Sequence, residues 1–96
     1  MFAYYIIEKE SKQAFSMETI LFTIKQPHAS VEHREVRSVT LPTKTGVMQI
    51  LPGHADMVAE TEPGACTIER EKGRETIELP SAGILRVHKG SAVLIL

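Results

Sequence analysis

Four histidines, a lone cysteine and Ser81 are the side chains best equipped to act as ligand, base or nucleophile. His28 and His33 are close in sequence, but no cysteine flanks them and their spacing matches no zinc pattern. With His54 and His88 they read as solvated loop histidines, and no metal site is expected. Cys66 falls on the apolar side of a predicted strand, with no cationic neighbour to lower its pKa, so it reads as a buried inert thiol. Ser81 lies in Pro80-Ser81-Ala82-Gly83, which lacks the glycine-flanked elbow of hydrolases. Gly46, Gly53 and Gly64 belong to three different turns, so no phosphate-cradling loop is visible. The run Glu69-Arg70-Glu71-Lys72 reads as a solvated hairpin tip. No base-nucleophile pair is left to support an enzyme.

The elements that must position these residues are short strands punctuated by turns. Ile20, Phe22 and Ile24 alternate with Leu21, Thr23 and Lys25, a strand pattern that Gln26-Pro27-His28-Ala29-Ser30 breaks. Val36 to Leu41 is the next strand, with Val39 and Leu41 on one face and Arg37 and Thr40 towards solvent. Pro42 to Gly46 is a turn. Val47 to Leu51 is a third strand, stopped by Pro52-Gly53. Asp56 to Glu62 is extended and ends at Pro63-Gly64, which suits a type II turn. Ala65 to Glu71 and Arg74 to Leu79 flank a hairpin turn at Lys72-Gly73. Cys66 and Ile68 face one way in the first, and Ile77 and Leu79 share a face in the second. Ile84 to His88 and Ser91 to Leu96 are joined at Lys89-Gly90. The last strand is apolar almost throughout, which predicts cover on both faces. No helical period is sustained. The fold class is therefore all-β, a sandwich or barrel.

Bulk composition sets the remaining bounds. At 96 residues the chain holds one domain at most. A domain this small has a thin stability margin unless it docks on something. With 43% hydrophobic and 24% charged residues it is globular rather than disordered. A net charge of −1 gives no electrostatic reason to expect nucleic acid or an anionic membrane as partner. One cysteine excludes an internal disulfide and fits a reducing compartment. No apolar run reaches the ~20 residues of a transmembrane helix. The apolar start, Met1 to Ile7, is short and lacks a basic region before it, so it is no secretory signal. Any membrane connection must pass through another protein. Residues 1–16 read as a poorly ordered extension, vector-derived or from a start codon assigned too early, since Met17 offers a second start. An extra edge strand from Tyr4 to Glu8 is the alternative. Residues 17–96 form the domain.

Two segments go further. Gly46-Val47-Met48-Gln49-Ile50-Leu51-Pro52-Gly53-His54-Ala55 is the first, and Leu79-Pro80-Ser81-Ala82-Gly83-Ile84-Leu85-Arg86-Val87 the second. In order and spacing they resemble the two signatures of the epsilon subunit of F-type ATP synthases (delta in mitochondria). The resemblance covers about Glu18 to Leu96. It implies a flattened sandwich of two antiparallel sheets with about eight to ten short strands. Pro52 and Gly53 then permit a corner where the chain passes between sheets, and Gly83 leaves room for close backbone approach.

The resemblance also implies a role. The family's sandwich is a non-catalytic rotor part that docks on the gamma subunit and rests on the polar loops of the membrane c-ring. It transmits torque in ion-driven ATP synthesis, peripherally, at the cytoplasmic face of the bacterial inner membrane. By position, Thr43, Lys44, Thr45, Gly46, Val47 and Met48 correspond to the loop meeting the c-ring, and Gln26 and His54 lie towards gamma. His54 has a second reading, as a ring hydrogen-bonded within its own corner, and both can hold. Val47 stands where many members carry an acidic residue, Gln49 where glycine is usual and Asp56 where proline is usual. These departures imply a divergent lineage or a paralogue, with the sodium-coupled enzyme one candidate. The family's C-terminal helical hairpin has no counterpart before Leu96, so self-inhibition and ATP sensing through it are expected to be absent, with no cofactor. The uncovered sandwich is expected to self-associate when isolated. The rival readings are a stand-alone protein-binding module of the same fold, and a small enzyme of unrecognised chemistry.

Overall fold

A computed structural model describes residues 18–96. The extension expected over 1–16 and its alternative strand from Tyr4 to Glu8 lie outside the described residues. Nine strands follow in chain order: β1 Ile20–Gln26, β2 Ala29–Val36, β3 Ser38–Thr43, β4 Gly46–Ile50, β5 Met57–Thr61, β6 Gly64–Arg70, β7 Gly73–Leu79, β8 Gly83–His88 and β9 Ser91–Ile95. The described residues contain no helix.

Four connections are tight hairpins, β1–β2, β3–β4, β6–β7 and β8–β9. The β8–β9 turn has positive φ at both Lys89 (45°) and Gly90 (81°), the geometry whose twist matches that of paired strands. The hairpin tip between β6 and β7 is Glu71-Lys72, with Arg70 opposite Gly73, one residue earlier than expected. Hydrogen bonding runs in the order β2-β1-β9-β8-β5-β3-β6-β7, with β4 on β3 beside this path. The fold is therefore one curled, continuous ladder, where two separate sheets were expected. It is not wholly antiparallel either, because β9 pairs with β1 in parallel, Ser91 opposite Leu21.

The curl follows from how β3 uses its edges. One edge pairs with β4. The other is shared: Ser38 to Thr40 pair with β6, and Thr43 pairs with Thr61 of β5. Six residue steps from Thr61 to Thr67 are thus spanned by three from Thr43 to Thr40. Glu62, Pro63 and Gly64 absorb the excess. Gly64 takes the positive φ expected there, but at 139° it is far from a type II turn and makes a bend. The type II turn lies instead at Pro52-Gly53, where Gly53 has φ 84° and the His54 amide donates to the Leu51 carbonyl at 3.1 Å.

The chain makes a further corner that the sequence hides. Ile20 faces Val36 and Phe22 faces His33, so Arg34 and Glu35 together oppose Leu21, a β-bulge. Glu35 sits at φ 56°. One residue, Arg37, then links β2 to β3, and its amide donates to the Glu69 carbonyl at 2.6 Å. The bulge spaces the buried residues of β2, His33 and Val36, three apart. Alternation fails there, which is why this segment reads as a loop.

The core runs along the concave side of the ladder. Phe22, Val36, Val39, Cys66, Ile68, Leu85, Ala92 and Leu94 are fully buried. Each large apolar side chain so buried contributes roughly 1.5–3 kcal/mol. The last strand is fully covered on one face, where Ala92 and Leu94 are buried; on the other, Ser91 and Val93 are half-buried and Ile95 is 52% exposed.

Two contacts hold the corners that flank the candidate site. At Gly83 an added Cβ would collide with the Ile95 carbonyl oxygen and lie 2.8 Å from Leu96 Cδ2, so the close approach expected there is present. Asp56 ties the 51–56 corner to the β8–β9 hairpin. Its carboxylate accepts from the His88 Nδ1 at 2.7 Å and from the Lys89 amide at 3.3 Å. These bonds, the His88 one foremost, hold its carboxyl below the usual carboxylate range.

Gly83→Ala is expected to lower the unfolding free energy by about 1–3 kcal/mol through overpacking against backbone. An unchanged urea midpoint would show that the approach is relaxed. For Asp56 the folded-state pKa is lowered, so its stabilisation is present above the unfolded carboxylate pKa and is lost as pH falls through the folded one. Asp56→Asn should therefore be less stable than the parent near neutral pH, and the two should converge in strong acid. A constant gap across urea titrations would contradict this.

Candidate functional site

The β3–β4 turn carries the residues expected to face the c-ring. Thr43 does not point outward. It is buried, and its hydroxyl donates to the Gly46 carbonyl at 2.7 Å and accepts from the Thr45 amide at 3.3 Å. It braces a two-residue loop, Lys44-Thr45, with Thr43 paired to Gly46. Gly46 has φ 126°, a conformation L side chains rarely adopt. Lys44, Thr45, Gly46 and Val47 are exposed, and Val47 at 76% is the most exposed large apolar residue described. Met48 turns inward and packs on the core. Alternation along β4 thus sends Val47 and Gln49 out and Met48 and Ile50 in.

The turn leans on β5. The Lys44 amide donates to the Glu60 carbonyl at 3.0 Å, and the Lys44 ammonium lies 3.7 Å from the Glu60 carboxylate. An exposed pair like this contributes about 0–1 kcal/mol, so it orients more than it stabilises. Between turn and strand runs a groove floored by Met48, Met57 and Ala59 and edged by Val58, which is 67% exposed. Met57 and Val58 escape sequence reasoning, because their segment shows only weak alternation and its partners are distant in the chain.

Gln26 and His54 are not brought together. His54 shares a shallow depression with Ile20, at the start of β1, while Gln26 ends that strand. At ~3.3 Å per residue the two lie about 20 Å apart along β1. The His54 ring nitrogen Nδ1 is 2.8 Å from the Ala55 carbonyl, so the architectural reading of this histidine is present. The residue is half-buried, with part of it still reaching solvent.

The other singled-out residues fall as follows. Burial pushes the Cys66 thiol up to about 11, which leaves it protonated and unreactive near neutral pH. His28 is in the exposed β1–β2 turn. His33 is no loop residue: it sits in β2, 9% exposed, with its ring stacked on Phe22 at 6.0 Å. Nor are Glu69 and Arg70 simply solvated. Glu69 accepts from Arg74 at 2.9 Å and from Ser38 at 3.1 Å, and these bonds lower its pKa. Arg70 reaches His33, Glu75 and the Arg34 carbonyl. Among the described residues, no three His, Cys, Asp or Glu side chains cluster to hold a metal ion. No helix there is long and apolar enough to cross a membrane.

Comparison with known proteins agrees with the two sequence signatures. Residues 19–96 match the family model of the ATP synthase delta/epsilon chain, beta-sandwich domain. Among solved structures, the chain is similar to one in the cryo-EM structure of the Euglena gracilis mitochondrial ATP synthase (OSCP, F1 and c-ring, rotational state 1). That match has a TM-score of 0.71 and 23% identity, over 98% of this chain and 61% of that one. A second is in the central stalk and c-ring of the Tetrahymena thermophila mitochondrial ATP synthase, with a TM-score of 0.67 and 12% identity, over 82% of this chain and 65% of that one. At these identities the structures speak for the fold, and the chain spans about three fifths of their length. The family match covers most of the sequence and includes both signatures, so this chain belongs to the delta/epsilon chain family of ATP synthases, through its β-sandwich domain.

Proposed function

We propose that the chain is a central-stalk (rotor) subunit of an F-type ATP synthase, coupling a gamma subunit to the membrane c-ring during ion-driven ATP synthesis. The observation that carries this reading is the family match across residues 19–96. The shape of the β3–β4 turn supports it. A braced two-residue loop that presents Val47 beside Met57 and Val58 is a rigid apolar prominence, suited to a contact that must bear load without folding first. In this reading the two runs of the ladder, joined at Thr43 and Thr61, act as the two leaves of the family's sandwich.

The c-ring contact is assigned to Lys44, Thr45, Gly46 and Val47, with Thr43 and Met48 supporting them from beneath. Val47 replaces the acidic residue usual there, so this contact is apolar where others are charged. Gln26 and His54 mark the two ends of the gamma footprint, which must then follow the length of β1. The chain takes no catalytic step itself and works as a mechanical link without a cofactor. It reaches the membrane only through its partners, on the cytoplasmic face of the inner membrane if the host is bacterial. Exposed Val47, Val58 and Ile95 also favour self-association of the isolated chain.

Val47→Lys and Thr45→Lys, both at exposed positions of the turn, test the assignment. Each is expected to weaken retention on the c-ring by about tenfold or more, roughly 1.4 kcal/mol, while gamma binding stays within about twofold. Equal loss of both contacts in a binding assay with the separate partners would refute the turn as the ring-facing surface.

A further inference from the structure

The curl of the ladder brings its two ends near each other, and side chains bridge the seam. β2 is the edge strand at one end, and β6 and β7 finish the other. Arg70 of β6 reaches across. Its Nε donates to the Arg34 carbonyl of β2 at 3.4 Å, and its Nη2 lies 3.1 Å from His33 Nδ1. Its Nη1 donates to Glu75 Oε1 of β7 at 3.1 Å. A guanidinium has no lone pair to offer, so His33 Nδ1 must be the acceptor. The ring is then neutral, with its proton on Nε2.

That requirement makes the bridge sensitive to a proton. Imidazole is the side chain whose charge changes between about pH 5 and 8. A solvent proton on Nδ1 would set an N–H against the Arg70 N–H groups, cation against cation. An alternative acceptor stands ready, because Glu75 Oε1 is 4.0 Å from the same nitrogen. β1 offers the uncharged Phe22 ring, and on β2 Glu32 pairs with Arg34 at 2.9 Å in the open. Glu78 of β7 lines the same apolar groove as His33.

We infer that His33, Arg70 and Glu75 form a proton-operated latch on the β2–β6/β7 seam. With His33 neutral, Arg70 spans the seam and holds β2. With His33 protonated at Nδ1, the imidazolium turns its N–H to Glu75, Arg70 is displaced, and its bond to the Arg34 carbonyl is lost. The seam then loosens around Arg37, whose amide donates to Glu69, and β2 parts from the rim of the groove lined by Val31, Ile77 and Leu96. This inference stands independently of the stalk assignment.

The test is amide hydrogen exchange on the full chain at about pH 7.5 and about pH 5.5, corrected for intrinsic rates. Glu69 has a lowered pKa and stays ionised across that window, so it does not confound the reading. Protection of the Arg37 amide is expected to fall by about tenfold relative to the β3–β4 amides in the parent chain. It should stay flat in His33→Asn, whose Oδ1 takes the place of Nδ1 as an acceptor for Arg70 but does not titrate. A flat parent profile, or an equal fall in His33→Asn, would overturn the latch. Nitrogen-15 shifts of the His33 ring in the parent chain give a second readout that needs no variant. Nδ1 is expected unprotonated at the higher pH, and an Nδ1–H tautomer there would overturn the proposal.

Discussion

β3 must pair with three strands although a strand has only two edges. It gives one edge to β4 and divides the other, pairing with β6 near its start and with β5 at Thr43. A strand that shares an edge in this way forces its two partners apart. β6 stays with β7, and β5 leaves to pair with β8. The sheet therefore splays and curls, and its apolar faces close on one core. The cost falls on Glu62-Pro63-Gly64, where proline removes a donor that no ladder could use and glycine adopts φ 139°. The Glu62 amide is still satisfied, by the Pro42 carbonyl at 3.1 Å.

The candidate site inherits its rigidity from that junction. Thr43 is both the residue where β3 meets β5 and the brace of the β3–β4 loop. Whatever pulls on Val47 is resisted by the main chain of three strands, not by side-chain contacts alone. The 51–56 corner is fixed separately, by the Pro52-Gly53 turn and by Asp56 on the β8–β9 hairpin. Asp56 ties that corner down by hydrogen bonds to His88 and to the Lys89 amide. Asp56 acts within the fold, whereas Val47, 76% exposed, is the side chain the turn offers to a partner.

Much of this was legible in the sequence, for identifiable reasons. Alternation marked β1, β6 and β7, whose apolar residues recur at every second position over part of each strand, as in Cys66 and Ile68 against Thr67 and Glu69. Glycine and proline marked the turns. β2 was missed because its bulge sets His33 and Val36 three residues apart, and with it the burial of His33 was lost. Pro63-Gly64 was read as a reversal because a dipeptide carries no information about a strand that shares its partner. The last strand was predicted covered on both faces since its composition is apolar, but composition does not say whether anything lies over Ile95. The exposed turn residues were placed by motif, while the groove at Met57 and Val58 depends on pairing across the chain and left no local signal.

The central claim is that this domain links two partners of an ATP synthase. The most direct measurement is affinity capture of the tagged chain after co-expression with the gamma and c subunits of its own host, in mild detergent. Recovery of gamma and the c-ring together with the chain is the predicted result. Capture of the folded chain with neither partner would contradict the account.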